Sequence, residues 1–210
     1  MKNILLPALI FLFCSLSAQK DPVATAILDK FSEKSLSAPS VSMKFNLRIH
    51  DKIEDSMQES EGQLVIKNNR YKLELPDNII WFDGQSTWNL SPEVKEVTVS
   101  LPDPDENTFM TNPTSLFDIY KQDFKYRLLE KSEKASVIDL YPENPSNTEF
   151  SLIRLVIDEQ NSLVSALYRR KDGIDLYIDV NKYSLKNDYP SEYFKFDPAK
   201  YPDVDIIDMR

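Results

Sequence analysis

The residues able to do chemistry are few. The 210-residue chain has one histidine, His50, one cysteine, Cys14, and three glycines, Gly62, Gly84 and Gly173. A general base, a nucleophile or a metal ligand would have to come from this stock. Gly-x-Ser-x-Gly, a phosphate-binding loop, His-Glu-x-x-His and any Cys/His cluster are all missing. His50 falls on the polar parity of an alternating run, which reads as a solvent-facing side chain. Asp103 with Asp105, and Asp203 with Asp205, offer the carboxylate pairs that acid-base catalysis uses. In a chain with 34 acidic and 25 basic residues, such pairs arise from composition alone. The expectation is a protein that is not an enzyme and that needs neither cofactor nor metal.

Cys14 belongs to a different kind of feature. Lys2, the apolar run Ile4 to Phe13 and the small residues Ser15 to Ala18 have the layout of a secretory signal peptide, expected over residues 1–18. The run is about ten residues, short of the roughly 20 that a membrane span needs, and nothing comparable follows. Lipid attachment at Cys14 would require a small residue before it, and Phe13 is bulky. Cleavage after Ala18 leaves a chain without cysteine, so neither disulfides nor a reducing compartment are implied. Losing Lys2 makes the formal net charge of −9 one unit more negative, which argues against nucleic acid as a partner.

Most of the remainder is written in the grammar of strands. Asp21-Pro22 opens a helix in which Val23, Ile27 and Phe31 recur at four-residue spacing, beside Ala24 and Leu28. From Val41 the period becomes two: Val41, Met43, Phe45, Leu47 and Ile49 alternate with polar residues. Similar segments recur at 61–68, 69–76, 78–83, 86–91, 93–101, 124–132, 135–142, 150–158, 162–170 and 174–184, joined by short polar turns such as Asp83-Gly84 and Asp172-Gly173. A last short strand is expected within Val204 to Asp208. The pattern predicts a mainly β protein with a few α-helices, an antiparallel meander forming a single domain over residues 19–210. Between Pro102 and Asp123, Leu116, Phe117 and Tyr120 at helical spacing after Pro113 predict a short inserted helix.

About 11 antiparallel strands are too many for a flat sheet, because twist makes such a sheet curl. An apolar concave face then needs a cover, which only the N-terminal helix and the 113–121 insert can supply. The expected lining is Val41, Met43, Phe45, Leu47 and Ile49 of the first strand, with Trp81, Phe82, Trp88, Phe109, Leu116, Phe117 and Tyr120.

Several stretches carry a resemblance: Glu61 to Lys67, the hairpin Trp81-Phe82-Asp83-Gly84-Gln85-Ser86-Thr87-Trp88, Pro92 to Glu96, the insert Asn112 to Tyr120, and Phe194-Lys195-Phe196-Asp197-Pro198. In this order they resemble the periplasmic lipoprotein carrier family, LolA. The resemblance implies an incomplete, half-open antiparallel β-barrel with a helical lid. It further implies a monomeric carrier that takes triacylated lipoproteins from an inner-membrane ABC-type release complex toward an outer-membrane acceptor. In the family an arginine directly follows the lysine matching Lys67 and helps hold the lid. Here Asn68 and Asn69 follow, and Arg70 is the nearest candidate latch. A binding module for another lipid, or an envelope-stress sensor on the same scaffold, is the alternative.

Overall fold

The computed structural model describes residues 20–103 and 108–210. The expected signal segment, residues 1–18, lies outside them. Helix α1 (Pro22–Leu36) starts where the sequence places it: Asp21 is its N-cap, its carboxylate accepting from the backbone N–H groups of Val23 and Ala24, with proline in the first turn. The buried stripe is Ala24, Leu28, Phe31 and Ser35. Val23 is 47% exposed, so the helix is rotated away from the Val23-led stripe.

Twelve strands follow: β1 (Val41–Asp51), β2 (Ser56–Lys67), β3 (Arg70–Glu74), β4 (Ile79–Phe82), β5 (Thr87–Ser91), β6 (Glu96–Ser100), β7 (Phe124–Lys131), β8 (Ala135–Pro142), β9 (Phe150–Asp158), β10 (Leu163–Arg170), β11 (Ile174–Ser184) and β12 (Asp205–Asp208). They form one sheet in the order β12-β6-β5-β4-β3-β2-β1-β11-β10-β9-β8-β7. The sheet stays open, with β12 and β7 at its edges, so the half-open barrel expected from the sequence is the architecture found.

Three details differ from the expectation. The chain is two meanders, β1 to β6 and β7 to β11, joined through the β1–β11 pair. The last strand, β12, pairs with β6 in parallel rather than antiparallel. The insert is two 3₁₀ turns, Pro113–Phe117 and Ile119–Lys121, interrupted at Asp118, whose φ of −134° departs from helical geometry.

The β6-to-β7 connection has consequences for the interior. These strands lie at opposite ends of the sheet, so the chain between them must cross from one side of the half-barrel to the other. The insert is therefore a cover by topology. Glycine is required at one point beneath it: Gly62 opposes Phe45 across the β1–β2 pair, and a Cβ there would lie 2.4 Å from the Phe45 ring. The β1 strand is also irregular between Lys44 and Phe45, where its register with β11 shifts.

Candidate functional site: the inner face and its cover

One continuous apolar cluster fills the inside of the sheet. It draws Val41, Met43, Phe45 and Leu47 from β1, Leu64 and Ile66 from β2, Tyr71 and Leu73 from β3, and Ile138, Leu140, Ile153 and Leu155 from β8 and β9. Strands from both halves of the sheet thus share one interior, which is what curling accomplishes. Ile49 packs against the cluster while remaining partly exposed.

The cover supplies the other half of these contacts. Phe109, Leu116, Phe117, Ile119 and Tyr120 are each 2% exposed or less, as are Ala24, Leu28 and Phe31 of α1. The Phe109 ring meets Phe45 edge-on at 5.6 Å and Tyr168 at 6.3 Å, bridging β1 and β10. Phe117 meets Phe31 at 5.6 Å, tying insert to helix. At either side of the insert the interior opens to cavities. One of ≈ 530 Å³ is lined by Tyr71, Ile80, Phe82, Thr87, Asn89, Thr98 and Met110 among others. The other, of ≈ 870 Å³, runs along Met110, Ile119, Phe124 and Phe150 to Arg170.

Hydrogen bonds fasten the cover at several points. The Tyr71 hydroxyl donates to the Thr111 carbonyl at 2.7 Å, and the Tyr120 hydroxyl donates to Asp29 Oδ1 at 2.6 Å. Burial pushes the Tyr71 phenol up to about 12. Burial, followed by the bond to Asp29, also pushes Tyr120 well up, so both remain donors at neutral pH. Helix α1 is held at its start by Asp21, which caps the helix with Oδ1 and accepts from the Leu128 N–H of β7 with Oδ2. At its far end the Ser35 and Tyr183 hydroxyls are 2.8 Å apart.

Three expected site residues are corrected. Trp81 and Trp88 do not face this interior. On β4 the inward side chains are Ile80 and Phe82, and Trp81 points to the opposite face, in a separate cluster with Leu90, Val97 and Phe196 that Trp88 and Tyr201 join. Trp81 meets Phe196 at 5.6 Å and Tyr201 at 5.8 Å, so the C-terminal segment roofs this outer patch. The inward positions of β5 and β6 are polar instead: Thr87, Asn89, Thr98 and Ser100. Arg70, expected as the lid latch, is engaged elsewhere. It shares the outer face with Lys72 and donates to Ser191 Oγ at 2.8 Å, while neighbouring Lys67 donates to the Tyr189 carbonyl and pairs with Asp188. These cations pin the C-terminal segment. The fastening to the insert falls to Tyr71, one residue on and therefore on the other face. Reading the sequence for a displaced arginine passed over it, although an aromatic on the apolar parity of β3 was the available sign.

An open half-barrel with a packed apolar interior, covered by one helix and one crossing insert, is the class that fold and site define. The chain belongs to the family of outer membrane lipoprotein carrier protein LolA, whose family model matches residues 37–197. That span runs from just after α1 to the Phe194-Lys195-Phe196-Asp197 turn. A search of curated proteins gave no match. Among solved structures, an uncharacterised conserved protein from Thermus thermophilus superposes with TM-score 0.57 at 14% identity, covering 89% of this chain and 99% of that one. The LolA superfamily protein NE2245 from Nitrosomonas europaea gives 0.43 at 15%, covering 82% and 97%. An outer membrane lipoprotein-sorting protein domain from Vibrio parahaemolyticus gives 0.44 at 10%, covering 81% and 95%. The first shows the shared fold.

Proposed function

We propose that this chain is a periplasmic, non-enzymatic carrier that shelters the acyl chains of triacylated lipoproteins between the inner and outer membranes. In this reading it acts as a monomer, receives cargo from an ABC-type release complex and passes it to an acceptor at the outer membrane. The observation that carries it is the shared apolar cluster: strands from both halves of the sheet contribute to one apolar interior, and the insert and α1 that cover it pack onto it through apolar side chains. Membership of the family supports the same reading. Among the described residues no helix is long and apolar enough to cross a membrane.

The packed interior also answers an energetic difficulty. Burying acyl chain is worth about 0.8 kcal/mol per CH₂, so three chains in an empty dry groove would exceed the roughly 20 kcal/mol ceiling on useful affinity. Here the groove is already filled by Phe109, Leu116, Phe117, Ile119 and Tyr120. Cargo would exchange places with these side chains, and its net affinity would be the difference between two similar burials. Release then needs no nucleotide bound to the carrier itself.

A second reading, a carrier for another acylated lipid, draws on the polar inward residues Thr87, Asn89, Thr98 and Ser100 in the ≈ 530 Å³ cavity, which would suit a headgroup. Titration with a fluorescent diacylated peptide tests the acyl-binding claim common to both. Leu47→Glu, confirmed folded by circular dichroism, is expected to weaken binding by about tenfold or more, because a carboxylate would occupy the apolar floor. Phe109→Ala, which removes the cover's ring contacts to Phe45 and Tyr168, is expected to bind more tightly. Unchanged binding by both folded variants would contradict an apolar inner site.

A further inference from the structure

Tyr168 stands out because it lies inside the apolar interior and is completely buried, yet among the described residues its hydroxyl has no hydrogen-bond partner. It is on β10 with Ala166 in the inward-facing set, between the rings of Phe109 at 6.3 Å and Phe150 at 5.5 Å. Among the described residues, the two other buried side-chain atoms without hydrogen bonds, Arg169 Nε and Asp175 Oδ1, fall in an ion-paired group with Lys52, so their charges are compensated. Tyr168 has no such compensation. A phenylalanine would satisfy the same ring contacts without leaving a donor unmade, and an unmade buried donor carries a desolvation cost that folding does not recover.

We infer that the Tyr168 hydroxyl is a polar contact for cargo: once the cover moves aside, it donates a hydrogen bond to the ester or amide carbonyl of a bound fatty-acyl group. The inference rests on the acyl-carrier reading and specifies which chemistry the site recognises. Phe109 belongs to the insert, so the movement that admits cargo uncovers Tyr168. Phe150, on its other side, lines the ≈ 870 Å³ cavity beside the insert, which gives a path from outside. Burial pushes the Tyr168 phenol up, which keeps its proton in place at neutral pH. A carbonyl accepts and cannot donate, matching a lone donor in apolar walls. The empty, covered state leaves the hydroxyl unpaired while the loaded state pairs it, so the contact adds affinity where pure hydrocarbon burial would not discriminate.

The experiment compares two fluorescent peptide probes, one with a diacylglyceryl (ester) group and one with the matching dialkylglyceryl (ether) group, which lacks the carbonyls. The wild-type protein is expected to prefer the ester probe by about tenfold. Tyr168→Phe is expected to lose that preference, leave ether binding unchanged and melt no lower than wild type. Equal affinity of the wild type for the two probes, or an equal loss on both in the variant, overturns the role of Tyr168 while leaving the carrier reading standing. Failure of the wild type to bind either probe overturns both.

Discussion

Asp21 shows how one side chain connects chemistry to packing. Its carboxylate caps α1 and also accepts from Leu128 on β7, joining half of the cover to the sheet edge. The Leu128 N–H, followed by those of Ala24 and Val23, holds its pKa below the ordinary 3.8 despite an opposing desolvation effect. A depressed folded-state pKa contributes stability that is present above the unfolded value and is lost as pH falls through the folded one. Asp21→Ala is therefore expected to cost about 1 kcal/mol at neutral pH. The gap from wild type should close as urea titrations are carried below pH 3.8. A gap independent of pH would remove the carboxylate from this role. At this scale the sequence was legible where alternation and burial agree, as at Val41, Met43, Phe45 and Leu47. It misled at Trp81 and Trp88, because a period of two separates the faces of a strand without saying which one is inner. That was decided by Phe196 and Tyr201, from a segment far along the chain.

Among the elements, α1 and the insert were both visible as breaks in the β rhythm, and both cover the interior. The insert's form was less visible. Apolar residues at helical spacing are shared by α- and 3₁₀-helices, and the interruption at Asp118 is set by the span the connection must cross rather than by local preference. The parallel pairing of β12 was likewise hidden, since β6 offers an unpaired edge whose use depends on where the C-terminal segment arrives. The early half of β2, Ser56 to Ser60, carries almost no apolar signal and forms through its ladder with β1. The fastening of the insert predicts its dynamics. Removing two hydroxyl donors in Tyr71→Phe with Tyr120→Phe is expected to cost about 1 to 3 kcal/mol in total. It should accelerate amide hydrogen exchange across residues 108–121 more than in β9 or β10, and tighten binding of an acyl probe by lowering the cost of uncovering. Exchange that rises uniformly over the sheet would show that these bonds support the whole fold instead of the cover.

For the whole molecule, strand order explains why a cover exists at all. Two meanders joined through β1 and β11 leave β6 and β7 far apart, and the chain between them lies across the half-barrel. The outer patch around Trp81 is roofed by the C-terminal segment, which Lys67 and Arg70 anchor, so the two apolar faces are covered by different parts of the chain. Only the inner one is covered by an element that must also bridge an opening. A carrier of acyl chains requires that fatty chains replace that element. Native mass spectrometry of the protein isolated gently from its native cells measures this directly. Intact acylated proteins bound one to one are the predicted result, with free acylated lipid supporting the second reading. Protein that emerges free of any acylated species, even when expressed alongside abundant lipoproteins, would contradict the claim that the inner face is a site for acyl chains.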